Sequence, residues 1–197
     1  VVKVQEQVGG EWYHYPGEIE TIFELAESLP PNPVIVNIGT GLGTSSLAFH
    51  EARSDATIFT IDINPCEEAF ENWHKAGVRG RIIPIMGESE EIGRRWAIPI
   101  IDLLFVDGDH SPPGIRIDVK AWKPHVVPGG LLVFHDYGNP VTPYVKPTVD
   151  ALMKDATWKE DLSWRLESQR PNYENLHTAR CRGTTADDTG LYLASWL

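Results

Sequence analysis

The sequence predicts an α/β domain built on a doubly wound sheet, and three observations carry that prediction. Short runs that are apolar throughout alternate with amphipathic segments five times along the chain. Such runs read as strands covered on both faces, and strand–helix alternation reads as a parallel sheet with helices on each side. After the fifth run the alternation lapses. Two strand-like segments, 162–167 and 191–196, have no helix between them, which suggests an antiparallel closing pair. A chain of 197 residues suffices for one such domain with a substantial core and is short for two.

The elements follow in order. Over 18–29, Ile19, Ile22, Phe23, Ala26 and Leu29 fall on one helical face, and Pro30, Pro31 and Pro33 end it. Val34–Ile38 is the first strand; a glycine turn joins it to a helix over Thr44–Ala52. A second strand over 57–63 precedes a helix carrying Phe70 and Trp73, which Gly77 can close. The third strand is 81–86 and the fourth Ile101–Val106; the helix after it, 114–124, buries Ile115, Val119 and Trp122. The fifth strand, 131–134, stops at His135-Asp136-Tyr137-Gly138. A helix over 147–153 has Pro147 in its first turn, and a polar connection over 168–190 separates the last two segments. That connection closes over an acceptor, or is a solvated loop that meets a second copy in a homodimer.

Composition narrows the partners. The net charge is −11 with only 17 Lys and Arg and no dense basic run, which argues against nucleic acid or an anionic membrane. Cys66 and Cys181 form neither a disulfide framework nor a metal-ligand spacing. No apolar run reaches the roughly 18 residues of a membrane span. Residues 1–10 are polar and charged, unlike a secretory leader, so a soluble cytoplasmic protein is expected.

Chemistry concentrates at strand ends. Gly39-Thr40-Gly41-Leu42-Gly43 joins a strand to a helix start, where glycines let a ligand approach and free N–H groups favour a negative group. Its G-x-G-x-G spacing puts Thr44 where a dinucleotide fingerprint needs its third glycine. Asp62 ends the second strand about twenty residues on, suited to ribose hydroxyls. Gly87, Glu88 and Ser89 end the third, suited to edging a planar base or to starting a helix. The runs Asp107-Gly108-Asp109-His110 and His135-Asp136-Tyr137 end the fourth and fifth strands and so reach the same edge. Carboxylates gathered there repel unless a proton or a cation intervenes, and oxygen-rich sites suit Mg²⁺, Mn²⁺ or Ca²⁺. The alternative is that these residues only make turns, with His135 packed on the sheet.

With these residues placed, the chain resembles the class I S-adenosylmethionine-dependent methyltransferases from about Pro33 to Tyr137. The block F-V-D-G-D-H followed by P-G-G-x-x-x-F-H-D-Y is most similar to small O-methyltransferases that include macrocin- and cephalosporin-type tailoring enzymes. It is more distantly similar to the catechol and caffeoyl-CoA O-methyltransferases. The resemblance implies a Rossmann-like, seven-stranded sheet, mostly parallel with an antiparallel closing strand. It implies one domain over 1–197: a helical segment 1–32, a cofactor-binding core 33–137, and a C-terminal helix and closing strand pair 138–197.

The resemblance also assigns roles. Gly39, Thr40, Gly41 and Gly43 hold the amino-acid end of S-adenosyl-L-methionine, and Asp62 binds its ribose. Gly87, Glu88 and Ser89 lie near adenine, and Asp107 borders the cofactor. Asp107, His135 and Asp136 match positions that bind Mg²⁺ or another divalent cation in metal-dependent relatives. Asp109 matches the general base of sugar-modifying members. Asn37 stands where Glu or Asp is usual, and His135 where an acid is frequent.

The expected reaction is methyl transfer to a hydroxyl of a small molecule or sugar, largely a matter of alignment. The hydroxyl loses its proton through a cation at Asp107 and Asp136, or to Asp109, His110 or His135. Two other readings stay open: a nucleotide- or NAD-binding oxidoreductase, and a non-catalytic interaction protein with the same fold.

Overall fold

A computed structural model of the chain describes residues 18–154, apart from 79 and 99, and short stretches at 158–159 and 192–196. Helix α1 (Glu18–Ser28) precedes β1 (Val34–Ile38), α2 (Thr44–Ala52), β2 (Thr57–Asp62) and α3 (Glu67–Lys75). Then come β3 (Ile82–Met86), α4 (Ser89–Arg94), β4 (Ile101–Val106), α5 (Pro112–Trp122), β5 (Val126–Phe134) and α6 (Val145–Leu152). Five strands form a parallel sheet in the order β3-β2-β1-β4-β5. The order of strand addition reverses between β1 and β4, with β2 and β3 added on one side of β1, and β4 and β5 on the other. The carboxyl ends of β1 and β4 therefore splay into a crevice, the usual ligand position in an open α/β sheet.

Side-chain alternation explains why the strands are apolar throughout. Ile35, Ile58, Phe105 and Val133 face one core layer, closed by Ile22 and Leu25 of α1, Phe49 of α2 and Trp73 of α3. Val36, Ile38, Leu104 and Leu132 face the other, closed by Ile115, Val119 and Trp122 of α5 and Val149 of α6. The central strands β1 and β4 are covered on both faces, as the sequence leads one to expect, whereas outer β3 is partly exposed.

Two boundaries differ from expectation for local reasons. β5 begins at Val126 rather than 131, because Val126 pairs with Ile101 before an irregularity shifts the register to Leu131 against Leu103. Pro128-Gly129-Gly130 forms that irregularity inside a strand. Helix α5 begins at Pro112 because the Ser111 hydroxyl accepts the Gly114 N–H at 3.2 Å, and proline is tolerated in a first turn. The expected strand 162–167 and loop 168–190 lie outside the described residues.

β3 is the outer strand of this parallel set and carries Pro84 in its middle. Among the described residues, no helix is long and apolar enough to cross a membrane.

Trp122 locks α5 to the sheet. It is fully buried, packs on Trp96 at a ring-centroid distance of 5.0 Å, and donates Nε1–H to Ser89 Oγ at 2.8 Å. Trp122→Ala is expected to destabilise the fold by about 3–5 kcal/mol in chemical denaturation. A loss below about 1 kcal/mol would contradict this packing account.

Candidate active site

The crevice is a cavity of about 650 Å³ at the carboxyl edge of the sheet. Its first wall is the glycine turn. Gly39 has φ +93°, and a Cβ there would run into the Asp107 carbonyl, so the ends of β1 and β4 close up only because the side chain is missing. Gly43 has φ +78°, and a Cβ would press on the Trp73 ring, whose Nε1 donates to the Gly43 carbonyl at 2.9 Å. No side chain caps α2 at Gly43, so its first-turn N–H groups keep their capacity for a ligand.

Asp62 ties this turn to β2. Its Oδ2 accepts the N–H of Thr40 at 2.9 Å and of Gly41 at 3.3 Å; its Oδ1 accepts the N–H of Asn64 at 2.9 Å. Burial pushes its pKa up, but the backbone donors Asn64, Thr40 and Gly41 outweigh burial and hold the carboxyl below its ordinary range. Asn37 lies beneath the turn and off the cavity wall. It is fully buried, and its Nδ2 donates to Gly39 O, Ser46 Oγ and Thr60 Oγ1 at 3.0–3.2 Å. Its Oδ1 has no hydrogen-bond partner among the described residues. Gly43 likewise sits behind the wall, whereas Gly39, Thr40, Gly41, Gly87, Glu88 and Ser89 all line it.

The far wall holds Asp118, which sequence reasoning did not single out. It is 5% exposed on α5, and its carboxyl accepts a hydrogen bond from Ser89. Desolvation, together with the negative charges of Asp109, Glu88 and Glu90, pushes its pKa up to about 6 against the pull of Ser89.

Between the two walls, the ends of β4 and β5 bring four groups together. Asp107, His110, His135 and Asp136 each offer one ligand atom, and these atoms all lie within 4.8 Å of one another. His110 Nε2 lies 3.1 Å from Asp136 Oδ2 and 3.5 Å from Asp107 Oδ1. His135 Nδ1 lies 3.0 Å from Asp107 Oδ1 and 3.5 Å from Asp136 Oδ1. Asp136 reaches this position with φ +57°, a left-handed conformation that aspartate tolerates better than most residues. Asn139 Nδ2 donates to its Oδ1 at 2.7 Å.

Behind the ring of His135, Nε2 meets Oε2 of Glu18 at 3.2 Å. Glu18 is fully buried at the start of α1. The sequence held a signal for both Glu18 and Asp118. Glu18 shares the buried stripe of α1 with Ile22 and Leu25, and Asp118 that of α5 with Ile115 and Trp122. An acid on an apolar stripe needs a buried partner.

The charges settle into a consistent pattern. Burial lowers the pKa of His135, but Asp107, Asp136 and Glu18 overcome it and hold the imidazole well above its ordinary range. His110 is also raised, first by its hydrogen bond to Asp107. Burial raises Asp136, and His135, Asn139 and His110 more than reverse that. Asp109 is held low because Ser111 donates its N–H at 2.8 Å and its hydroxyl at 2.7 Å to the two carboxylate oxygens. As a result Asp109 is a weak base here. Two carboxylates and two imidazoles fit a divalent cation, and the imidazoles tilt the donor set from Mg²⁺ toward Mn²⁺ and its neighbours.

The family described as methyltransferase domain matches residues 36–137, just over half of the 197 residues. The chain belongs to this family. The order of motifs from the glycine turn to His135-Asp136-Tyr137 is thus borne out as a methyltransferase signature. A relative from Mycolicibacterium smegmatis named "Putative O-methyltransferase" is 37% identical over 123 residues, which cover 59% of this chain and 57% of that one. The chain thus spans little more than half the length of the curated relatives it matches.

Solved structures of methyltransferases share the fold. A methyltransferase from Geobacter sulfurreducens superposes with a TM-score of 0.63 at 19% identity, covering 91% of this chain and 77% of that one. The O-methyltransferase of tomaymycin synthesis from Streptomyces achromogenes, solved with S-adenosylmethionine, gives 0.57 at 21%, covering 72% and 70%.

Asp118 yields a test of this electrostatic picture. A carboxyl with a raised pKa binds a proton more tightly in the folded state, so stability falls as pH rises from about 4 through about 6. Asp118→Asn removes that penalty while keeping an acceptor for Ser89. It is expected to stabilise the protein at pH 7 by on the order of 2 kcal/mol and to be near neutral at pH 4. Equal effects at the two pH values, read from urea midpoints, would refute the assignment.

Proposed function

We propose that the chain is an S-adenosyl-L-methionine-dependent O-methyltransferase acting on a hydroxyl of a small molecule or sugar, assisted by a divalent cation. The observation that carries this reading is one cavity lined by the glycine turn, Asp62 and the cluster Asp107–His110–His135–Asp136. The named O-methyltransferase relatives and the S-adenosylmethionine-bound Streptomyces neighbour support it.

In this reading Gly39, Thr40, Gly41 and Gly43 shape the pocket for the amino-acid end of the donor. Asn37 does not line the cavity; it holds the turn from below by donating to the Gly39 carbonyl. The ribose hydroxyls donate to Asp62, whose low pKa keeps it an acceptor. Gly87, Glu88 and Ser89 border adenine, and Asp107 stands between donor and acceptor. A divalent cation held by Asp107, His135 and Asp136, with His110 beside them, would lower the pKa of a coordinated hydroxyl.

His110 is the proton acceptor best suited among Asp109, His110 and His135. Asp109 is occupied by Ser111, and His135 is 4% exposed, whereas His110 sits half-buried on the cavity wall. Methyl transfer then requires donor, methyl carbon and acceptor oxygen in line, which the fixed walls favour.

The reading extends to the whole chain. Within a proposed single domain over 1–197, with segments 1–32, 33–137 and 138–197, the family match over 36–137 supports the core segment. Closure of the sheet to seven strands is supported by the antiparallel register of Tyr192–Trp196 against Leu131–Phe134. The net charge of −11 supports an enzyme directed at small molecules rather than nucleic acid or anionic membranes.

Calorimetry with S-adenosylhomocysteine tests the core. The wild type is expected to bind it, and Asp62→Ala to weaken binding by about 10- to 100-fold through loss of charge-assisted hydrogen bonds. No binding by the wild type would overturn the reading. In an S-adenosylhomocysteine-release assay across phenolic and sugar acceptors, His110→Ala is expected to lower kcat by about 10²–10⁴ with donor affinity intact. Chelator treatment is expected to suppress turnover and Mn²⁺ or Mg²⁺ to restore it; full turnover in chelator would remove the cation from the scheme.

A further inference from the structure

We infer that Glu18 is a positioning residue for the cation site: by accepting the Nε2 proton of His135, it fixes the ring so that Nδ1 faces Asp107 and Asp136. The inference rests on the cation-assisted part of the function proposed above.

Glu18 is fully buried, a position where a carboxylate is unfavourable unless it is paired. Its Oε2 meets His135 Nε2 at 3.2 Å across 117 positions of sequence. On the opposite side of the ring, Nδ1 lies 3.0 Å from Asp107 Oδ1 and 3.5 Å from Asp136 Oδ1. The Phe105 ring flanks the imidazole, with centroids 6.0 Å apart. His135 is thus held between one carboxylate behind the site and two inside it.

A ligating imidazole carries one proton. With that proton on Nε2 and accepted by Glu18, a cation takes the place of the other on Nδ1, on the side of the two aspartates. A carboxylate behind a ligating histidine fixes its tautomer and orientation and strengthens it as a donor. Glu18 supplies that carboxylate from a helix that contributes nothing else to the cluster of four. The imidazole itself brings no negative charge to the cluster, and Glu18 supplies one a step further out.

The test is Mn²⁺ binding by calorimetry to the metal-stripped full chain, comparing wild type, Glu18→Gln and Glu20→Gln, the last an exposed acid on the same helix. Glu18→Gln is expected to weaken Mn²⁺ by about 10- to 100-fold, and Glu20→Gln to leave it unchanged. S-adenosylhomocysteine affinity is measured on the same samples. Loss of that binding with the Mn²⁺ pattern intact sinks the methyl-donor reading and leaves Glu18 in its role. Should Glu18→Gln fail to fold, ¹⁵N NMR of wild-type histidine rings with Zn²⁺ as a diamagnetic probe decides instead: the Nδ1 resonance of His135 is expected to shift while Nε2 keeps its proton. Unchanged Mn²⁺ affinity in folded Glu18→Gln, deprotonation of Nε2 by the ion, or no Mn²⁺ binding by the wild type would each overturn the inference.

Discussion

One buried imidazole, His135, is the point on which the site depends. Three carboxylates from three different elements converge on it: Glu18 from α1, Asp107 from the end of β4 and Asp136 from the end of β5. Without a positive partner, three acids in a largely dry volume repel one another and resist ionisation. With it, each carboxylate lies within 3.5 Å of a ring nitrogen and has a fixed place. The same contacts bind the first helix to the carboxyl edge of the sheet, so the packing of α1 and the shape of the cavity are not independent.

The other half of the cavity rests on backbone. Gly39 lets the ends of β1 and β4 approach, and Asp62 pins the resulting turn through Oδ2 while Asn64 holds its Oδ1. One half is therefore held by charge and the other by hydrogen bonds to main-chain N–H groups.

Much of this was legible in the sequence. Val34–Ile38, Thr44–Ala52 and Ile101–Val106 announce their limits because prolines, glycines and acids punctuate continuous apolar runs. The strand-end motifs were legible for a topological reason: every parallel strand delivers its last residues to the same edge. The start of β5 was not, because Pro128-Gly129-Gly130 carries turn chemistry and only pairing with Ile101 makes it strand. Glu18 and Asp118 were legible only in part: each lies on the apolar stripe of its helix, but the group it meets there is set by tertiary packing. The resemblance offers Asp109 as a base, and its hydrogen bonds from Ser111, two residues on, depend on local loop geometry that the sequence does not display.

Pro84 has a consequence at the opposite border of the molecule. The Arg81 carbonyl and the Gly87 N–H both bond to β2, so alternate residues of β3 face the sheet and Pro84 turns its nitrogen to the open side. That nitrogen carries no hydrogen. The outer rim of β3, where Ile83 and Met86 are exposed, therefore lacks a donor that an incoming strand would need. The chain can present apolar side chains there without inviting the runaway strand addition that leads to aggregation.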